Sequence, residues 1–266
     1  MLDKFNRKIS YLRISVTDRC NFRCVYCMPP EGVQRKKHED ILNFTEIYEF
    51  AKLAVSMGVT KIRITGGEPL IRKNIIELIK MIAGITGLKD FGMTTNGVYL
   101  PEFAQQLAQA GLHRVNISLD TINPEKFKKL TRVGKLEDVM AGIEAAKKAK
   151  LLPIKINCVV KKNTHEPDAV EVAKFCQEND LQIRFIREMD LEKGTYWKVK
   201  GGTGGSCKIC NRLRLTSDGK LRPCLFSEIE YDVRKLGIKN ALMQAVGNKP
   251  EYGTVNRNKG FNDLGG

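Results

Sequence analysis

The sequence predicts an α/β protein whose strands form a partial (β/α)6 barrel, TIM-like but left open, followed by a C-terminal extension. Three observations carry that reading. Short β-branched runs alternate with longer runs of helical period, roughly 25–40 residues from one strand to the next, which is the rhythm of a parallel sheet with crossover helices. The strand candidates alternate apolar and polar residues, whereas strands buried on both faces read as continuous apolar runs. After Met189 the alternation stops and glycines crowd the chain.

The first strand is YLRISVT, Tyr11–Thr17, with Leu12, Ile14 and Val16 on one face and Arg13, Ser15 and Thr17 on the other. The helical run FTEIYEFAKLAVSMG ends at a glycine, a favoured helix stop. KIRIT, Lys61–Thr65, then opposes Ile62 and Ile64 to Arg63 and Thr65. The run NIIELIKMIAGI leads to FGMTTN, Phe91–Asn96, and PEFAQQLAQAG to RVNISLD, Arg114–Asp120. In that strand Val115, Ile117 and Leu119 oppose Asn116, Ser118 and Asp120. LEDVMAGIEAAKKAK precedes PIKINCVV, Pro153–Val160, where Ile154 and Ile156 oppose Lys155 and Asn157. PDAVEVAKFCQEN precedes the last candidate, QIRFIREM, Gln182–Met189. An antiparallel sheet with one wet face gives the same alternation, but the intervening helices argue against it. The helices therefore cover the apolar face, and the polar face lines a lumen. Six strands cannot build the packed core of a closed eight-stranded barrel, so the lumen has room for a large polar ligand.

This reading divides the chain into a barrel over residues 1–189, a Gly-rich linker over 190–206 and a final region over 207–266. The GGTGGS of the linker is expected to be flexible, spanning ~13 Å on average. The final region holds a helix candidate around Val233–Val246 and a polar tail ending Gly265-Gly266.

Composition narrows the function classes. A hydrophobic fraction of 42% over 266 residues suits a soluble globular protein. No apolar run approaches the ~18 residues of a membrane span, and MLDKFNRKISYLRIS does not resemble a signal peptide. The expectation is a cytoplasmic protein with reduced thiols and no membrane partner. The net charge of +15 fits either solvated lysine-rich helix faces or an anionic substrate such as a nucleotide. Seven Tyr and one Trp show no basic–aromatic interleaving, so no stable nucleic-acid complex is expected.

Eight cysteines is a high count for a reduced compartment, and six fall in two groups. Cys20, Cys24 and Cys27 make CxxxCxxC directly after the first strand, at the mouth where barrels carry their chemistry. Cys207, Cys210 and Cys224 make the second group. Cys158 and Cys176 sit in apolar or helical runs and read as buried core thiols. Three thiolates hold a cube of four irons and four sulfides with one iron left open, as catalytic zinc leaves a position open. A zinc site completed by a distant His or Asp is the alternative for the first group, and a zinc ribbon lacking one ligand for the second. The three histidines, His38, His113 and His165, lie near neither triad in sequence.

CxxxCxxC with Tyr26 before its last cysteine, together with Gly66-Gly67-Glu68-Pro69 after the second strand, strongly resembles the radical S-adenosylmethionine (SAM) superfamily. The second group, CKICNRLRLTSDGKLRPCLFS, resembles one family within it, GTP 3′,8-cyclase of molybdenum cofactor biosynthesis. That resemblance covers Tyr11 to Met189, Cys207 to about Ser227, and the Gly-Gly terminus. It implies an iron–sulfur character for the C-terminal extension, two [4Fe-4S] clusters, and SAM as cofactor. The activity implied is a lyase reaction: a radical abstracts hydrogen from the ribose 3′ carbon of GTP, which then bonds to C8 of guanine. The product is (8S)-3′,8-cyclo-7,8-dihydroguanosine 5′-triphosphate. Partners implied are GTP, an electron donor of flavodoxin or ferredoxin type, the next-step pterin synthase and a second copy in a homodimer.

Residue by residue, the resemblance places Arg13, Arg63, Thr94 and Lys155 at GTP, Tyr26, Gly67, Ser118 and Met189 at SAM, and Arg212 and Arg214 at the guanine beside the second cluster. Gly265 and Gly266 are placed in the active site. Two departures stand out. Only seventeen residues separate Met189 from Cys207, where the family has a much longer segment, and Arg187 stands where the family commonly has Glu. The competing readings are another two-cluster radical SAM enzyme, for example one that modifies peptides, and a basic metal-binding nucleic-acid protein without catalysis.

Overall fold

In the computed structural model, which describes residues 1–34 and 36–257, the six expected strands lie parallel to one another in one sheet. They are β1 (Tyr11–Ser15), β2 (Lys61–Thr65), β3 (Asp90–Thr95), β4 (Arg114–Ser118), β5 (Lys155–Val160) and β6 (Gln182–Arg187), adjacent in space in their chain order. The crossovers carry α1 (Phe44–Ser56), α2 (Ile75–Ala83), α3 (Leu100–Gln109), α4 (Pro124–Thr131), α5 (Leu136–Lys148) and α6 (Pro167–Glu178). Beyond β1 the sheet continues with β7 (Arg212–Leu215), β8 (Lys220–Arg222) and β9 (Tyr231–Asp232), giving the order β6-β5-β4-β3-β2-β1-β7-β8-β9 among the described residues. β7 is parallel to β1, and β8 and β9 are antiparallel. The sheet does not close. Two helices follow, α7 (Val233–Leu236) and α8 (Ile238–Gly247).

The alternation in the strands becomes the two faces of this sheet. Leu12, Ile14, Ile62, Ile64, Val115, Ile117, Ile154 and Ile156 are fully buried in the main core. α1 contributes Ile47, Phe50, Ala51, Ala54 and Val55 to it. Its start is fixed by a capping box, in which Asn43 Oδ1 accepts from the Glu46 amide and Glu46 Oε2 accepts from the Asn43 amide. The opposite face is polar yet also shielded, with Arg63 and Asn116 each 2% exposed. A polar face buried in this way marks an enclosed lumen.

Three expectations change. The stretch expected to be a flexible linker lies along the edge of β6, where Phe185 and Lys200 exchange backbone hydrogen bonds of 3.0 and 3.1 Å. Its glycines serve close packing: Gly205 has φ +72, and a Cβ there would lie 1.9 Å from the Trp197 carbonyl oxygen. The residues after Cys207 extend the barrel sheet through β7 instead of standing apart. The helix candidate around Val233–Val246 divides at Gly237 into α7 and α8. α4 was not anticipated, because PEKFKKLT offers little helical apolar period; Asn123 caps it and Phe127 is its buried anchor.

Candidate active site

The CxxxCxxC loop is tied to the glycine turn after β2. The Gly67 amide donates to the Thr17 carbonyl and the Glu68 amide to the Arg19 carbonyl, both at 2.8 Å. A Cβ on Gly67 would sit 2.1 Å from the Arg19 oxygen, so only glycine lets this turn pack on the cysteine loop. Glu68 is 1% exposed and accepts from the Leu70 amide, the Thr95 hydroxyl and the Asn96 amide at 3.1, 2.8 and 2.7 Å. Burial pushes its carboxyl up to about 7 against those three donors. On the other side α4 straps the loop: Arg23 and Val25 amides donate to Thr131 and Leu130 carbonyls, and Arg132 donates to the Arg23 and Met28 carbonyls.

Cys20, Cys24 and Cys27 are half-buried, unbridged, and face one cavity of about 440 Å³. Burial pushes the Cys20 thiol up to about 11, helped by Glu68, and Cys27 up to about 12, helped by Cys20. Cys24 is pushed further by burial and then by Cys27, Asp120 and Cys20. Three thiolates cannot gather here without a cationic centre, so the donor set fits an iron–sulfur cluster. Among the described residues no group of His, Cys, Asp or Glu converges as a single metal ion requires.

Cys207, Cys210 and Cys224 face the same cavity from its other wall. Cys207 Sγ is 3.2 Å from the Tyr196 hydroxyl. Burial raises Cys224, while at Cys210 it is outweighed by Lys249 and by the amide and guanidinium of Arg212. This triad also fits a cluster by its chemistry. The two triads thus line one space, which their separation in sequence by nearly the whole barrel did not require.

Between the triads the strand register lays out two rows of cations. Arg63, Arg13 and Arg214 are consecutive partners across β2, β1 and β7. Lys61, Tyr11 and Arg212 form the neighbouring row on the same three strands. The Tyr11 hydroxyl accepts from Arg63 Nε at 2.7 Å, and its ring lies under the Lys61 ammonium and the Arg212 guanidinium at 5.0 and 5.4 Å. Burial alone would raise the Tyr11 phenol, but Arg13, Arg63, Lys61 and Arg212 outweigh it and bring it down to about 7. Burial, with Arg214, Arg63 and Arg212 nearby, lowers Arg13 to about 9 despite Tyr11.

Among the described residues, every sequence-derived site residue except Lys155 lines this cavity: the six cysteines, Tyr26, Gly67, Ser118, Met189, Arg13, Arg63, Thr94, Arg212 and Arg214. Tyr26 is anchored by its hydroxyl, which donates to Asp120 Oδ2 at 2.7 Å. Met189 packs with Leu191 and Phe226 in a small apolar group that Cys224 also borders, which puts it beside the second triad. Lys155 is not on the cavity wall; it starts β5, and its ammonium falls to about 8 through burial and the charges of Arg184, Arg114, Lys61 and Arg63. Gly265 and Gly266 lie outside the described residues. Sequence reasoning missed Tyr11, Lys61 and Arg184 as walls of the site, which Glu68 of the glycine motif and Asp120 of the polar strand face also line. Tyr11 and Lys61 stand two residues before Arg13 and Arg63 on the same strand faces, so the period of two could have found them. Arg187, the charge departure, stacks its guanidinium 3.7 Å from the Trp197 ring and donates to the Lys161 carbonyl.

Residues 14–176 match the family profile described as the Radical SAM superfamily, and the chain belongs to that superfamily, whose members use a [4Fe-4S] cluster and SAM. Solved structures share the fold. Streptococcus suis SuiB bound to precursor peptide SuiA aligns with TM-score 0.67 at 16% identity, over 93% of this chain and 66% of that one. Native anSMEcpe with bound AdoMet aligns with TM-score 0.62 at 18% identity, over 91% and 81%. Among curated relatives, the GTP 3′,8-cyclase of Thermodesulfovibrio yellowstonii is 43% identical over 89% of this chain and 88% of its own length. That of Alkaliphilus oremlandii is 37% identical over 100% of both. The chain belongs to the GTP 3′,8-cyclase family. The Alkaliphilus alignment takes 320 positions for the 266 residues here, so that relative carries insertions with respect to this chain.

Proposed function

We propose that the chain cyclises GTP to (8S)-3′,8-cyclo-7,8-dihydroguanosine 5′-triphosphate, using two [4Fe-4S] clusters and SAM. The observation that carries this reading is that two cysteine triads face one cavity across a row of three arginines. Cys20, Cys24 and Cys27 would hold the cluster that chelates SAM, and Cys207, Cys210 and Cys224 a second cluster against the purine. When bound, the first cluster and SAM supply a carbon-centred radical that takes hydrogen from the ribose 3′ position.

The protein's own residues do the rest. Arg13, Arg63 and Arg214, with Lys61 and Arg184 beside them, offer paired donors to phosphate oxygens. Thr94 and Tyr11 hold Arg63 by its Nη1 and Nε, at 3.5 and 2.7 Å, which fixes the plane of its guanidinium. Tyr26, pinned to Asp120, and Ser118 at the end of β4 form the SAM side. Arg212, held by the Thr203 hydroxyl and carbonyl at 2.7 and 3.2 Å, stands at the second triad. The walls exclude water from a reactive ribose radical. An electron donor of flavodoxin or ferredoxin type would supply the reducing equivalents, and a pterin synthase would take the product.

Anaerobic reconstitution should give about eight irons and eight sulfides per chain, as two four-iron cubes require. Incubation with SAM, reductant and GTP deuterated at the ribose 3′ carbon should yield deuterated 5′-deoxyadenosine only when GTP is present. Equal amounts with and without GTP overturn the reading. Arg212→Ala with Arg214→Ala should preserve SAM cleavage and weaken GTP turnover.

A further inference from the structure

Lys249 is among the largest fully buried side chains, 1% exposed, and no sequence motif singled it out. It follows α8, and its ammonium donates to the Arg212 carbonyl at 2.8 Å and to the Pro223 carbonyl. Arg212 lies two residues after Cys210, and Pro223 immediately precedes Cys224. One side chain therefore ties together the two segments that bring these cysteines to the site. The segment carrying it is held from outside by Arg7. That guanidinium donates to the Cys207 and Glu251 carbonyls at 2.9 Å each and to the Pro250 carbonyl at 2.7 Å.

The two cations differ in one respect. Arg7 is neutralised by Asp3, 2.6 Å from its Nε. The groups described as bonding the Lys249 ammonium are those two carbonyls and the Cys210 thiol, with no carboxylate among them. Two neutral carbonyls can be joined by a neutral donor, whereas burying an ammonium is costly unless an anion compensates it. Burial lowers the Lys249 ammonium, and the groups that act to keep its charge are Cys210 and Cys224, which are anionic when they hold a cluster.

We propose that Lys249 is a positioning residue of the second site: it joins the Cys210 and Cys224 segments and places a buried positive charge that raises the reduction potential of the cluster held by Cys207, Cys210 and Cys224. This rests on the two-cluster reading above. A positive charge beside the thiolates favours the reduced, more negative state of the cluster, so its removal lowers the potential.

The test uses the full chain carrying Cys20→Ala, Cys24→Ala and Cys27→Ala, so that the second triad alone reports. After anaerobic reconstitution, the midpoint potential is followed by electron paramagnetic resonance in this parent and in versions with Lys249→Gln or Lys249→Arg. With Lys249→Gln, the ratio of reduced to oxidised cluster at a fixed potential should fall about tenfold, which is about 59 mV for a one-electron couple. With Lys249→Arg it should stay within about threefold of the parent, because the charge is kept. Retained iron with an unchanged potential in Lys249→Gln overturns the proposal alone. If Lys249→Gln loses its iron, the arginine version decides: iron and potential retained support the proposal, and iron lost there too overturns it. Failure of the parent to assemble any cluster overturns the two-cluster reading, and this inference with it.

Discussion

Replacing Gly67 with alanine tests whether the glycine turn is there to seat the cysteine loop. The added Cβ would lie 2.1 Å from the Arg19 carbonyl oxygen, 2.5 Å from the Arg19 carbonyl carbon and 3.1 Å from the Asp18 oxygen. All three are backbone atoms and cannot swing aside. Relief requires the loop before Cys20 to move by about an ångström from a turn to which it is tied at 2.8 Å by the Gly67 and Glu68 amides. Overpacking of this kind costs about 1–3 kcal/mol, and losing one of those hydrogen bonds about 1 kcal/mol more. For a chain of this size the sum corresponds to a fall of roughly 5–15 °C in Tm. Gly84→Ala is the control, since its Cβ comes no nearer than 3.6 Å to any neighbour considered and should change stability by less than about 0.5 kcal/mol. Thermal unfolding of the metal-free chain, followed by circular dichroism, reads the stability difference. Iron bound after reconstitution reads the displacement of Cys20, and Gly67→Ala should lose iron while Gly84→Ala keeps it. A Gly67→Ala protein that unfolds with the wild type and fills with iron normally would refute the packing argument.

Three further outcomes follow from other side chains. Glu68 has its carboxyl raised from 4.5 to about 7, so its contribution is fully present below about pH 4.5 and is lost as pH rises toward 7. Glu68→Gln removes that slope and leaves one backbone amide facing an NH2 group, costing about 1–3 kcal/mol. The stability gap to wild type should therefore narrow between pH 4.5 and 7, and a constant gap would contradict the assignment. Tyr11, brought down to about 7 by its cations, should show a phenolate absorbance titrating near neutrality that Tyr11→Phe abolishes, while added inorganic triphosphate moves it upward. No such absorbance in the metal-free wild type would count against the cation cluster. Trp197→Ala removes the 3.7 Å stack on Arg187 and should cost about 0.5–2 kcal/mol in denaturant unfolding, an effect that Arg187→Ala should largely mask.

How far the sequence carries can be seen strand by strand. The parallel strands were legible because four of them, β1, β2, β4 and β5, keep a period of two in sequence, as in Leu12 and Ile14 opposite Arg13. β7, β8 and β9 were not, since RLRL, KLR and YD are too short for their period to count against surrounding glycine and proline. α4 was hidden for the opposite reason. Half of its residues are charged, and its stability comes from the Asn123 cap and from Phe127 meeting Phe22 at 6.0 Å under the cysteine loop. The GGTGGS stretch misled because glycine is equally common where a chain is free and where backbones must nearly touch. Contacts such as those of Gly205 with Trp197 and Gly201 with Ile183 separate the two cases.

The cations explain why the charge could be read two ways. The net charge of +15 fits solvated lysine faces, and many lysines are solvated. Among the arginines of the sheet, Arg63, Arg114 and Arg222 are buried and Arg13 and Arg214 half-buried. Register places Arg63, Arg13 and Arg214 side by side, an arrangement that destabilises a sheet because like charges face each other across strands. Asp90 relieves Lys61 and Arg114 at 2.7 Å each, at the far end of β3. Around Tyr11 the strain shows instead as a phenol lowered toward neutrality and guanidiniums lowered from their usual range. A fold that packs such a row together at a cost is stabilised when a polyanion binds it, by an amount that grows with the logarithm of ligand concentration over Kd. Triphosphate should therefore raise the Tm of the metal-free chain more than monophosphate at equal concentration, and added salt should shrink the difference. Under the proposed function, the register of β2, β1 and β7 supplies the cations that a triphosphate would need.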